Sequence, residues 1–276
     1  MFCSDREAEP VALKFNSMGY HAFVLRYSVY SNSGFQFPEP GKTPVYKPSV
    51  IEGPMREIGK AMITIHEHAG EWKVDTDKII LSGYSAGAHN CAMYSVYWNR
   101  PEIAGFFKVS PQILKPAAAV LGYGIYDFVR FKEIAKNSAK PLDYKLFQSS
   151  CYAYIGNSEP GEEELIRVSP DRHVTKDTPP MFLWATYEDT TVSVRNTFWM
   201  ADALAEVGVS VELHVYEKGE HGFSVADQSS AEAMEQVSPD VADWVTCAQR
   251  WMLKRFALKL PEKCPVWNPD NLKEKN

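Results

Sequence analysis

The pentapeptide Gly83-Tyr84-Ser85-Ala86-Gly87 constrains this chain most, because it stands between a short apolar run, Ile79-Ile80-Leu81, and a helix-forming stretch over 86–98. A serine on so sharp a strand-to-helix turn needs strained backbone angles, and glycines two positions to either side let strand and helix approach each other. The helix that begins beside Ser85 aims free N–H groups and the positive end of its dipole at the serine, a setting that favours a developing oxyanion. The backbone N–H of Ala86 is the first donor such a site would use.

The rest of the chain alternates in the way this turn requires. Ser4-Asp5-Arg6-Glu7 fits a capping box for a helix reaching about Met18, and Gly19 ends it. Residues 21–29 read as a mostly buried strand, and 30–50, rich in Ser, Gly and Pro, as a long loop. Ile58, Met62, Ile65 and Ala69 share one helical face. Strands are expected at 117–125, 181–186 and 209–216, with a helix at 194–207 between the last two. Ser238-Pro239 opens a final helix with an N-cap and a proline at its first position. This order implies an α/β fold with a mostly parallel sheet covered on both faces, in a single domain over 1–276 with a tail at 257–276. The stretch 126–180 carries no clean strand and reads as a lid or insertion, a usual place for a substrate pocket.

Composition narrows the partners. The 276 residues are 45% hydrophobic and 23% charged, ample for a large core, and the net charge is -6. No nucleic-acid partner is expected, since phosphate binding needs clustered Lys and Arg, and Lys254, Arg255 and Lys259 read as a solvated helix end. The N-terminus lacks a secretory signal and no run is long enough to span a bilayer, so no membrane partner and a cytoplasmic location are expected. Cys3, Cys91, Cys151, Cys247 and Cys264 are odd in number and scattered, which points to free thiols and against structural zinc.

A serine hydroxyl becomes a nucleophile only when a base takes its proton and a third group holds that base. Asp189 follows the 181–186 strand, with Val192 three residues on. His221, within Gly219-Glu220-His221-Gly222-Phe223, follows the 209–216 strand. Ser85, Asp189 and His221 therefore stand at the C-terminal ends of three strands, where open α/β sheets place their sites. Glu188 is the alternative acid, and the bland reading of either carboxylate is a solvated loop residue; for His221 it is a loop histidine between glycines. His66 and His68 lack the spacing of a zinc-binding helix, His21 and His214 belong to strands, His173 lies in the insertion, and His89 reads as a packing or capping residue.

With these residues placed, the chain resembles the bacterial acetyl-esterase branch of the α/β-hydrolases, xylan-esterase-like or prolyl-oligopeptidase-like, from Ser4 to about Phe256. The likeness is carried by Ser4-Asp5-Arg6-Glu7-Ala8-Glu9-Pro10, Leu25-Arg26-Tyr27-Ser28, Leu81-Ser82-Gly83-Tyr84-Ser85-Ala86-Gly87, Thr178-Pro179-Pro180-Met181-Phe182-Leu183-Trp184 and Gly219-Glu220-His221-Gly222. It implies an α/β-hydrolase three-layer sandwich, Ser85, Asp189 and His221 as a triad in the order Ser, Asp, His, and a small acyl ester as substrate, an acetylated sugar or another short-chain ester. No metal or organic cofactor is expected. A serine exopeptidase is the alternative within the hydrolases, and a non-catalytic protein of the same fold the alternative outside them. In this branch a Gly-rich segment, preceded by further strands, comes just ahead of the Ser4 helix and supplies a second oxyanion N–H. Here only Met1, Phe2 and Cys3 precede Ser4, so the chain reads as N-terminally truncated, with a gap between the strand ending at Val29 and the 79–81 strand. Backbone groups beside that gap would need other partners, a second copy in a homo-oligomer among them, and the loop after Val29 is the first place to seek a replacement donor.

Overall fold

Four strands make one parallel sheet in the computed structural model, which describes residues 3–30, 42 and 44–257. They are β1 (Ile80–Tyr84), β2 (Ala118–Gly122), β3 (Met181–Thr186) and β4 (Val211–Tyr216), adjacent in that order. The register runs Ser82 to Val120, Val120 to Phe182 and Leu183 to Leu213. Every residue of β2 and β3 is buried, as expected of parallel strands flanked by neighbours and covered on both faces.

The helices are α1 (Glu9–Ser17), α2 (Glu52–Glu67), α3 (Ala69–Trp72), α4 (Ala86–Tyr97), α5 (Ala104–Phe107), α6 (Pro111–Leu114), α7 (Phe128–Asn137), α8 (Pro141–Ile155), α9 (Glu162–Arg167), α10 (Arg195–Glu206) and α11 (Pro239–Phe256). Successive strand residues point to opposite faces, and the core divides accordingly. Ala119, Leu121, Met181 and Leu183 pack with Met55 and Met62 of α2, Met93 of α4 and Leu204 of α10. Ala118, Val120, Phe182 and Trp184 pack with Val11 of α1 and Trp244 and Trp251 of α11. The Trp184 and Trp244 rings stack at 4.9 Å, so the long last helix is clamped to the middle of the sheet. Its start is the one expected: Ser238 accepts from the Val241 N–H, and Pro239 needs no acceptor.

Two expectations change. Residues 21–29 form no strand: no ladder joins them to β1 or to any other strand among the described residues, and Phe23, Val24 and Leu25 are 49%, 46% and 39% exposed. An apolar run becomes a strand only where a neighbour offers hydrogen-bonding groups in register, and none lies alongside among the described residues. The segment is tethered by side chains instead, with the Ser28 N–H and hydroxyl both on the Glu57 carboxylate at 2.6 Å and Phe23 against Trp72. The capping box does not form either, because Glu7 turns away from the Ser4 backbone to accept the Tyr123 hydroxyl at 2.7 Å. The stretch between β2 and β3, where no clean strand is expected, holds α7, α8 and α9, whose Phe131, Phe147, Cys151 and Leu165 enter the same core as α2 and α4.

Cys3, Cys91, Cys151 and Cys247 are free thiols; Cys264 and the loop over 31–41 lie outside the described residues. Among the described residues no helix is long and apolar enough to cross a membrane.

Candidate active site

Ser85 follows β1 directly and caps α4, with φ of 51° and ψ of -118°. A residue with a Cβ adopts such angles only when its surroundings over-determine them. Here the Ser85 N–H is held by the Gly122 carbonyl of β2 at 3.0 Å, and its carbonyl accepts the His89 N–H. A Cβ at Gly83 would lie 2.5 Å from the Gly87 carbonyl oxygen, so strand and helix approach more closely than any other residue would allow. The requirement is one-sided: a Cβ at Gly87 meets nothing within 4 Å, so only the first glycine is needed for want of bulk. The opening N–H groups of α4, Ala86 first, have no acceptor within the helix, and Ser85 stands at that end of it.

Asp189 stands on the turn after β3. Its Oδ1 accepts the Thr191 and Val192 N–H groups at 2.9 and 2.8 Å, which fixes the carboxylate and leaves Oδ2 for His221. The side chain is fully buried. Neighbouring Glu188 has a different fate. It is exposed, pairs with Lys218 at 2.6 Å and accepts the Gly219 N–H; the Lys218 hydrogen bond holds its carboxyl below the usual range. Of the two acids, only Asp189 reaches the histidine.

His221 lies on the loop after β4, next to Gly222 at φ of 85°. Its Nδ1 is 2.7 Å from Asp189 Oδ2 and its Nε2 2.8 Å from Ser85 Oγ. An ionised carboxylate can only accept, so Nδ1 carries the proton, and Nε2 is the acceptor for the serine hydroxyl. The structure thus joins Ser85, His221 and Asp189 in one hydrogen-bonded chain.

His89, one turn into α4, is a buried packing residue. Its Nδ1 donates to the Ile125 carbonyl at 2.8 Å, its ring lies edge-on to Phe128 and Tyr154, and burial lowers its pKa to about 4. His214 stacks on Phe182 and His173 meets Tyr97, both away from Ser85. A residue that the sequence did not mark is Tyr123, just past β2, whose ring meets the His221 imidazole edge-on at 5.0 Å. The available signal was its place one residue beyond the end of an apolar strand beside the Ser85 strand.

Comparison with known proteins bears on the family and the fold. The BD-FAE family model matches residues 48–204. The chain is 28% identical over 230 residues to endo-1,4-beta-xylanase B of Butyrivibrio fibrisolvens, covering 82% of this chain and 31% of that protein. It is 26% identical over 152 residues to the probable carboxylic ester hydrolase LipM of Mycobacterium tuberculosis, covering 55% and 33%. The matched region is thus about a third of the length of each of these relatives. Among solved structures, a sugar hydrolase (YeeB) from Lactococcus lactis superposes with a TM-score of 0.70 at 26% identity, over 92% of this chain and 84% of that one. The carboxylesterase Cest-2923 from Lactobacillus plantarum WCFS1 gives 0.70 at 23% identity, over 95% and 84%, a likeness of fold. With the parallel sheet, the covering helices and the strained serine turn already described, the chain has the α/β-hydrolase fold and belongs to the BD-FAE family.

Proposed function

We propose that this protein hydrolyses carboxylic esters through an acyl-enzyme on Ser85. The observation that carries the reading is the unbroken chain from Asp189 through His221 to Ser85, at 2.7 and 2.8 Å, ending on a serine with a strained, positive φ at the head of a helix. In this reading His221 Nε2 takes the Ser85 proton as Oγ attacks the ester carbonyl. Asp189 holds the imidazole and stabilises the imidazolium that forms. The Ala86 N–H and the helix dipole receive the charge on the carbonyl oxygen, and a single donor of this kind is worth about a hundred- to a thousandfold in turnover. His221 then returns the proton to the leaving alcohol, and water enters by the same route in reverse to release the acid.

The proposed substrates are short acyl esters, acetyl esters of carbohydrates first. Support comes from the relatives whose names refer to xylan and sugar hydrolysis and to carboxylic ester hydrolysis. The test uses an active-site-directed fluorophosphonate, which reacts quickly only with an activated serine. Wild-type protein is expected to label, and Ser85→Ala to stay folded and unlabelled; equal labelling of the two overturns the assignment. Acetate release from acetylated xylo-oligosaccharides, set beside hydrolysis of aryl acetates and longer aryl esters, checks the substrate class.

A further inference from the structure

The Asp5-Arg6-Glu7 turn has no part in that chemistry, yet it is bonded to the loop that carries His221. The Arg6 guanidinium donates to the Gly222 carbonyl at 3.0 Å and the Ser230 carbonyl at 2.5 Å, and pairs with Glu232 at 3.3 Å. The Arg6 carbonyl accepts the Ser224 hydroxyl at 2.5 Å. Glu7 accepts the Tyr123 hydroxyl at 2.7 Å, and the same phenolic oxygen accepts the Ser224 N–H at 3.1 Å. Trp244 completes the set by donating its indole N–H to the Ser224 carbonyl at 2.8 Å.

Ser224, three residues after His221, therefore has its N–H, carbonyl and hydroxyl all engaged, by three different elements. It needs them, because its φ of 52° lies in the left-handed region that a residue with a Cβ rarely adopts. Nearby, Gly222 and Ala226 are left-handed too, so a loop with three such residues is shaped by its hydrogen bonds rather than by local preference. Tyr123 links the two ends of this arrangement. Its hydroxyl fixes Ser224, while its ring is wedged between His221 at 5.0 Å and Trp184 at 4.9 Å, nearly perpendicular to the latter.

We propose that Glu7 and Tyr123 are positioning residues for His221: the carboxylate orients the phenol, and the phenol sets both the face of the imidazole and the loop on which it rides. The proposal rests on the reading of His221 as the base. The charges around the pair fit the role. Burial raises the Glu7 carboxyl above its usual range, against the Tyr123 hydrogen bond, His221 and Arg6, which draw it down. Burial and then the Glu7 carboxylate push the Tyr123 phenol well up, so it stays protonated and can always donate.

The experiment compares Tyr123→Phe, Glu7→Ala and Glu7→Gln in the full chain by steady-state hydrolysis of a short aryl ester, thermal unfolding and the downfield proton resonance of the His221–Asp189 hydrogen bond. Tyr123→Phe keeps the ring and removes only the hydroxyl. It and Glu7→Ala are expected to lower kcat by about ten- to a hundredfold, the scale of a small misplacement of a catalytic group, with KM unchanged within about twofold, and to broaden the downfield resonance. Glu7→Gln is expected to recover most of kcat, since its amide oxygen accepts the same hydrogen bond. A fall in unfolding temperature with kcat and the resonance intact would show a purely structural contact and overturn the proposal, as would a rise in KM alone. Should Glu7→Ala fail to fold, Tyr123→Phe decides by the same two readouts. Failure of the esterase reading itself appears elsewhere, as a wild-type chain that does not label with fluorophosphonate or a Ser85→Ala chain that does.

Discussion

Residues 21–29 and strand β3 carry similar apolar runs, His-Ala-Phe-Val-Leu-Arg-Tyr-Ser-Val and Met-Phe-Leu-Trp-Ala-Thr, and end in opposite states. β3 lies between β2 and β4, with α1 and α11 on one face and α10 on the other, and every residue in it is buried. Segment 21–29 has no ladder on either side among the described residues and leaves Phe23, Val24 and Leu25 open to solvent. Both runs are apolar over most of their length, although 21–29 also carries His21, Arg26 and Ser28. What separates them is whether a parallel neighbour supplies donors and acceptors in register, which no property of the run itself can provide. The chemistry follows the same division, for Ser85, Asp189 and His221 all leave the C-terminal ends of paired strands, and the exposed strip contributes nothing to their hydrogen-bonded chain.

The sharpest contrast is therefore one of rate. Asp189→Asn removes the charge that holds His221 while keeping the shape of the side chain, and turnover of a short aryl ester is expected to fall on the order of ten-thousandfold. Glu188→Gln, one residue earlier but paired with Lys218, is expected to change kcat by no more than about threefold, as for a surface contact. Leu25→Ala on the open strip should leave kcat where it is. Reversed ranks for the two acids would move the role to Glu188, and a large loss from Leu25→Ala would break the division between sheet and strip.

Stability gives the next largest difference. Trp184 is fully buried against Trp244, Tyr84 and Tyr123, and Trp184→Ala is expected to cost about 3–5 kcal/mol in urea unfolding, the range for deleting a large aromatic side chain from a core. Leu25→Ala is expected within about 0.5 kcal/mol of wild type, as for a surface site. A cost at Leu25 close to that at Trp184 would mean that the strip is covered in solution.

Much of the sheet could be read from the sequence, because its signals are local. Met181-Phe182-Leu183-Trp184-Ala185-Thr186 is apolar, bounded by Pro180 and a charged turn, and β3 has these limits. Ser238-Pro239 carries its own N-cap chemistry, and α11 starts there. At the site, the serine turn and the histidine between glycines were legible because their backbone needs are written in neighbouring residues. Glu7 was not. It carried the correct residue type for a capping box, but a hydroxyl 116 residues away competes for its carboxylate and wins. The helices of 126–180 were hidden for a related reason. Asp127 caps α7, whose Phe128, Phe131 and Ala135 share one face, while Pro141 opens α8 and Gly156 closes it; in α8 the buried residues Phe147, Ser149, Cys151, Tyr152 and Ala153 make no single apolar stripe.

The smallest effects test whether the same division holds for charge. On the N-terminal segment, Arg26 pairs with Asp5 at 2.7 Å and Glu9 at 3.2 Å in full exposure, so Arg26→Ala is expected to leave the unfolding midpoint within scatter at physiological salt. Between β2 and β3 two carboxylates are buried against partly exposed arginines. Asp127, with a fully buried side chain, accepts the Arg130 N–H and pairs with Arg172 at 2.8 Å, and Asp171 sits beside it with Arg130 at 3.8 Å. Burial first, and then the Asp127 charge, push the Asp171 carboxyl up to about 7. A carboxyl raised in the folded state stabilises most when protonated. Its contribution is fully present below the unfolded value of about 4 and is lost as pH rises through about 7. Asp171→Asn fixes the uncharged form, whose amide can donate to Asp127 as the protonated acid does. The variant should therefore match wild type below about pH 4 and unfold at a higher temperature than wild type at pH 8, with a shallower slope between. Parallel curves for the two proteins would mean that Asp171 is ionised throughout, held by Arg130 and Arg172, and that the buried cluster behaves like the exposed one.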